Sequence, residues 1–148
     1  MNFSKRSRYG LRALIDLAMY GKDGCIQLNE IAKRNQIPEK YLEQIFASLR
    51  KAGILKSVKG KLGGYQLAAD PEQITAADII VVLDGNYFLE DEERKVDEPY
   101  MASSAAIEEC IIKPVNEQTQ ALLKKITLQT LVDETDKIYN SQADMYYI

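Results

Sequence analysis

A chain of 148 residues with 46% hydrophobic and 28% charged side chains holds enough apolar material for one core, and no apolar run approaches the roughly 18 to 20 residues that a bilayer span needs. It contains no histidine and only two cysteines, Cys25 and Cys110, which disfavours most zinc and hydrolytic mechanisms; with no export signal at the N-terminus, a structural disulfide is also unexpected. The net charge of −3 hides a division: residues 1–67 carry thirteen Lys and Arg against five Asp and Glu, or +8, whereas residues 68–148 carry six against seventeen, or −11.

That asymmetry points to an anion-binding front half, with a merely solvated basic surface as the plain alternative. The opening residues turn amphipathic at once and lack a cleavable apolar region, so a cytoplasmic protein with no membrane contact is expected. The fold class expected is mostly α with a small β-hairpin.

Ser4 is placed to cap a first helix whose apolar residues Leu11, Leu14, Ile15 and Ala18 recur at helical spacing. Its first turn carries Lys5, Arg6 and Arg8, the wrong sign for a helix N-terminus, and phosphate would compensate them. Gly21 to Gly24 mark a turn, and Leu28, Ile31 and Ala32 define a short second helix. After Asn35-Gln36-Ile37, Pro38 opens a third helix with Leu42, Ile45, Phe46, Leu49 and Ala52 as its buried stripe and Gly53 as a left-handed cap. Two helices joined by three residues have the layout of a helix-turn-helix.

The other face of the third helix carries Glu39, Lys40, Glu43, Gln44, Ala47 and Lys51. In a major groove, Gln44 would pair with adenine, Glu43 would accept from cytosine and Lys40 would meet guanine or phosphate, although any solvated helix shows a similar mixture. Ile54, Leu55 and Val58, then Tyr65 and Leu67, read as two strands around Gly60, Gly63 and Gly64. Following a helix-turn-helix, this hairpin is a wing that presents Lys59 and Lys61 to a minor groove or its phosphates. The competing reading is an ordinary solvated loop. The candidate DNA-facing residues are Ser4, Lys5, Arg8, Pro38, Glu39, Lys40, Glu43, Gln44, Lys51, Lys59 and Lys61.

Thr75 and Asp78 form a capping box for a fourth helix that buries Ile79, Ile80 and Leu83 and ends at Gly85. The division expected is residues 1–85 as a winged helix-turn-helix domain, 86–103 as an acidic loop, and 104–148 as a dimerisation helix and tail. From about Ser104, Ile107, Ile111, Val115, Gln118, Leu122 and Ile126 form a stripe. Either a second copy or the chain's own domain buries it; a two-fold dimer would set two third helices about 34 Å apart, one turn of DNA. Pro114 removes a bond to the Cys110 carbonyl, so a kink or a split is expected there.

The segments Ser7-Arg-Tyr-Gly10, Glu30-Ile-Ala32, Ile37-Pro-Glu-Lys-Tyr-Leu-Glu-Gln44, Leu49-Arg-Lys-Ala-Gly-Ile-Leu55, Ser57-Val-Lys-Gly60, Gly63-Gly-Tyr-Gln-Leu-Ala68 and Ile74-Thr-Ala-Ala-Asp-Ile79 resemble the IscR/NsrR/CymR family of bacterial winged-helix transcription regulators. The match is close over the first 85 residues and extends in outline to Ile126-Thr-Leu-Gln-Thr-Leu131. The resemblance implies a homodimer on an imperfect palindrome of double-stranded DNA, with the third helix and the wing in contact. Cluster-sensing members hold an iron-sulphur cluster with three cysteines between the fourth helix and the dimer helix; residues 90–109 have none and Cys110 follows alone, so no cofactor is expected.

What remains resembles the cysteine-metabolism repressors of the family, and implies repression of cysteine, sulphur or thiol-stress genes. It also implies a cysteine synthase partner that accepts a C-terminal isoleucine, here Tyr147-Ile148; a tail folded on its own dimer is the alternative. Cys25, just ahead of the second helix, is a redox candidate or else an inert small side chain. A winged-helix adaptor without DNA binding is the rival class, and an enzyme has no nucleophile-base pair to support it.

Overall fold

The computed structural model describes residues 2–93 and 96–146; the candidate tail residues Tyr147 and Ile148 lie outside the described residues. Helix α1, Lys5–Tyr20, starts where Ser4 expects it to, with the Ser4 hydroxyl accepting the Ser7 N–H at 3.1 Å. Its buried face is centred on Ala13, Leu14, Leu17 and Ala18, so Leu11 and Ile15 lie at the margin of the stripe.

Helix α2, Leu28–Asn35, ends in a turn in which Gln36 is left-handed at φ +52°. The Gln36 N–H bonds the Lys33 carbonyl and the Ile37 N–H bonds the Ala32 carbonyl at 3.0 Å, which satisfies the helix end and drives Ile37 into the core. Helix α3, Glu39–Lys51, then begins one residue later than the sequence implies: Pro38 is its N-cap, with its carbonyl accepting from Leu42. At the other end Gly53, φ +82°, donates to Arg50 and Ile54 donates to Leu49, a paired cap that leaves Ala52 exposed instead of in the buried stripe.

Strands β1, Leu55–Val58, and β2, Gly64–Leu67, pair antiparallel from Leu55 opposite Leu67 to Val58 opposite Gly64. Ile26 adds a short third rung by exchanging both backbone bonds with Tyr65, at 3.0 and 2.8 Å. The approach is so close that a Cβ on Gly64 would lie 2.4 Å from the Ile26 carbonyl oxygen. A 3₁₀ turn, Pro71–Gln73, leads to helix α4, Ala76–Asp84, with both halves of the Thr75/Asp78 capping box formed.

Helix α5, Met101–Ile107, starts before Ser104, and a π turn, Glu108–Ile112, joins it to helix α6, Lys113–Lys125. The chain therefore stays helical through Pro114 and is not split: the wider turn immediately before the proline accommodates the missing donor, and Ile107 and Lys113 on either side keep right-handed helical angles. The acidic connection is held against this helix. Tyr87 is buried, Asn116 bonds both the N–H and the carbonyl of Leu89, and the Glu92 N–H donates to the buried Glu108 carboxylate at 2.9 Å.

Ile126 departs from its expected place in the stripe. It is extended at φ −80°, ψ 113°, packs beside Ala76, Ala77 and Ile80, and accepts the Ala76 N–H at 2.7 Å. The chain then turns into helix α7, Leu128–Tyr146, whose Leu128 and Val132 enter the same core as α1 to α4. Among the described residues no helix is long and apolar enough to cross a membrane.

Candidate nucleic-acid interface

Three elements carry the candidate residues, and side-chain contacts lock them together. Arg6 of α1 donates to the Ser48 hydroxyl of α3 at 2.7 Å, and Tyr9 meets Tyr41 edge-on with ring centroids 5.6 Å apart. Arg50, in the last turn of α3, reaches Ser57 of β1 at 3.3 Å, while Phe46 packs edge-on against Tyr65 of β2 at 5.0 Å. The basic turn, the third helix and the wing are thus one rigid unit, as a docking surface for a stiff duplex requires.

On that unit Pro38, Glu39, Lys40, Glu43, Gln44, Ala47 and Lys51 are all exposed, opposite the buried Leu42, Ile45, Phe46 and Leu49. Lys59 and Lys61 are exposed on the wing turn. Lys5 and Arg8 are exposed too, but each rests on an aromatic ring, Lys5 5.3 Å from the centre of Tyr9 and Arg8 4.5 Å from that of Phe3; the Arg8 Nε also donates to the Phe3 carbonyl.

Ser4 serves the scaffold. Its N–H donates to Asp84 Oδ2 at 3.0 Å and its hydroxyl donates to Asp84 Oδ1, so the carboxylate at the end of α4 is an anion beside the N-terminus of α1. Burial pushes the Asp84 carboxyl up, but the Ser4 hydroxyl and amide, the nearby Ser7 hydroxyl and the Arg6 charge outweigh it and hold it below the usual carboxylate value. The wrong-sign turn is therefore partly compensated from within the chain. Asp84 carries no local signal of this role, because its partner is 80 residues away.

Asp16 was also illegible as a structural residue. At 7% exposure it accepts Nε and Nη2 of Arg34 at 2.8 and 2.7 Å and the Asn35 amide at 3.0 Å, fastening α1 to the end of α2. The same bond and charge raise the Arg34 pKa against a smaller desolvation cost. Cys25 is half-buried and is separated from α2 by Ile26 and the N-cap Gln27, so it lies next to the residue that forms the wing's third rung and not on the helix terminus.

The stripe along α5, the π turn and α6 faces outward. Ile107, Ile111, Val115, Gln118 and Leu122 are exposed, with Ile111 at 52% and Leu122 at 60%, while Ser104, Glu108 and Ile112 turn toward the body.

A helix-turn-helix with an exposed polar third helix, followed by a basic hairpin fixed to it, defines a winged helix-turn-helix transcription regulator. The sequence matches the Rrf2 family, described as an iron-dependent transcriptional regulator, over residues 3–134, and the chain belongs to that family. It is 38% identical over 152 aligned positions to the HTH-type transcriptional regulator CymR of Bacillus subtilis, covering all of both chains. The structure of CymR, the global cysteine regulator of B. subtilis, superposes with a TM-score of 0.75 at 36% identity, covering 90% of this chain and 98% of that one. The oxidised form of Staphylococcus aureus CymR superposes with a TM-score of 0.64 at 36% identity, covering 89% and 96%. The family and these relatives are regulators, not enzymes.

The family description raises iron, and the donor set does not fit it. The sequence holds two cysteines and no histidine. Among the described residues no three His, Cys, Asp or Glu side chains are grouped to hold a metal ion, and Cys110 is exposed alone on the π turn. Three thiolates for a cluster are not available.

Proposed function

We propose that this chain is a homodimeric repressor that binds an imperfect palindrome and controls genes of cysteine or sulphur metabolism or of thiol stress, without an iron-sulphur cluster. The observation that carries this reading is the solvent-facing stripe Ile107, Ile111, Val115, Leu122 on a helix whose other face is already packed. Water is an unfavourable partner for such a stripe, and a second copy related by two-fold symmetry would cover it and present two α3 helices to successive turns of the major groove. Similarity to CymR supports the choice of cysteine and sulphur genes, and the lack of a third cysteine supports a cluster-free signal.

Within this reading Gln44, Lys40 and Glu43 contact bases, while Lys5, Arg8, Lys51, Lys59 and Lys61 contact phosphates. The test is selection of bound fragments from random DNA, followed by affinity measured across a salt series. A dimer in sedimentation and a steep loss of affinity with salt are expected. Replacing Lys59 and Lys61 by Ala flattens the logarithmic slope by about 2 per protomer. A protein that binds no fragment in dilute buffer belongs instead to the adaptor class.

A redox input has its own support: Cys25 adjoins Ile26, which pairs with the wing, and a CymR relative exists in an oxidised form. Peroxide should weaken DNA binding by the parent and not by Cys25→Ser; equal loss in both rejects it. Tyr147-Ile148 is proposed as the ligand of a cysteine synthase through end-on carboxylate capture. Deleting Ile148 should abolish binding to that enzyme, and unchanged affinity rejects the partnership.

A further inference from the structure

The wing turn carries one apolar side chain that nothing in the fold uses. Leu62 is 93% exposed and lies between Lys61 and Gly63. The turn is closed without it: the Gly63 N–H donates to the Gly60 carbonyl at 3.0 Å, Gly60 supplies φ +114°, and a Cβ on Gly63 would lie 2.2 Å from the Val58 oxygen. A single exposed leucine is ordinary by itself. This one stands on a hairpin pinned to α3 through Arg50–Ser57 and Phe46–Tyr65, in a stretch with no acidic residue between Glu43 and Asp70 and with lysines at 56, 59 and 61. Such a surface complements a polyanion and repels cationic partners.

We propose that Leu62 enters the DNA minor groove as an apolar wedge, with Lys59 and Lys61 on the phosphates that flank it. The inference rests on the DNA-binding reading above and adds a specificity residue to it. The minor groove offers a degenerate hydrogen-bond pattern but a width and a stiffness that depend on sequence. A branched side chain seated between its sugar walls reads those properties, favouring A·T pairs and easily unstacked pyrimidine–purine steps and disfavouring the guanine amino group that narrows the floor. Lysine alone would not discriminate, because it contacts phosphate equally on every sequence.

The test compares the parent, Leu62→Ala and the Lys59→Ala/Lys61→Ala pair on a selected site and on the same site with G·C placed under the wing, each across a salt series. Leu62→Ala weakens binding to the selected site about tenfold at every salt concentration. Its salt slope stays that of the parent, and G·C placement then costs it little more; the lysine pair flattens the slope and still discriminates. Equal affinity of Leu62→Ala and the parent overturns the inference. So does a changed self-association in sedimentation with unaltered DNA affinity, which seats Leu62 against protein, or a lowered melting temperature, which makes it structural. If the parent binds neither fragment, the DNA-binding reading itself falls, a result distinct from these.

Discussion

Ser4 and Asp84 fasten the start of α1 to the end of α4: the first cap of the chain and the last residue of α4 share two hydrogen bonds across 80 positions of sequence. Ser4 holds the start of α1, α1 holds Arg6 and Tyr9, and these hold α3. A change at Asp84 therefore reaches the third helix without touching it.

Asp84→Asn should lower stability at pH 7 by about 1 to 2 kcal/mol, the range for losing a charge-assisted bond and an anion beside a helix N-terminus. The sign with pH follows from a folded value below the unfolded one, near 3.9. The stabilisation is fully present above that unfolded value and is lost as pH falls through the depressed folded value. Thermal melts of parent and variant between pH 7 and pH 2 should converge at the acid end; a gap that stays constant removes Asp84 as its source.

The Asp16–Arg34 pair gives a second expectation. Removing Arg34 leaves a buried carboxylate with the Asn35 amide alone, whereas removing both partners leaves no stranded charge. Arg34→Ala should cost about 2 to 4 kcal/mol, somewhat below the fully buried range because Arg34 is partly exposed, and Asp16→Ala/Arg34→Ala should cost less than the sum of the single changes. Denaturant melts of the three variants measure this, and strict additivity would show that the two side chains act separately.

The helix-turn-helix, the wing and the capping box were legible in the residues because each rests on a local rule. Gly53 is left-handed where a helix must end, Gly63 and Gly64 stand where backbone crowds backbone, and Thr75 and Asp78 are three apart. The exposed set on α3 follows in the same way from the period of its buried residues. What was illegible depends on distant partners or on a helix that changes its pitch. Neither Asp84 nor Asp16 announces its cation or its cap, Ile26 joins the wing from the far side of α2, and Ile126 keeps the spacing of the stripe while the backbone has already left the helix. The π turn before Pro114 accommodates a proline that a rigid α-helical reading can only kink or break.

The outward stripe sets a third expectation. Ile111→Glu and Leu122→Glu place carboxylates on the face proposed to pair, where two-fold symmetry duplicates each one and the cost of burying unpaired charge adds to the lost apolar contact. Sedimentation should show a folded monomer for the double variant with unchanged far-ultraviolet circular dichroism. Affinity for a single half-site should persist, while affinity for the full palindrome falls toward it. A dimer that survives both changes would move the pairing surface elsewhere.

The wing's attachment yields the last. Gly64 combines φ +150° with an approach to the Ile26 carbonyl that leaves no room for a methyl group, and backbone, not a yielding side chain, is what the methyl would strike. Gly64→Ala must therefore break the Ile26–Tyr65 rung or shift β2 along β1, and a cost of about 2 to 3 kcal/mol is expected from the lost bonds and the strained conformation together. Because Tyr65 also packs on Phe46, the disturbance reaches α3, so DNA affinity should fall even at temperatures where the variant stays folded. Gly24, by contrast, has open space around its missing side chain, and Gly24→Ala should leave both the melting temperature and the affinity near those of the parent. Loss of affinity in Gly64→Ala with retention in Gly24→Ala locates the effect at the rung that joins the wing to the body; equal behaviour of the two variants would deny that the rung positions the wing.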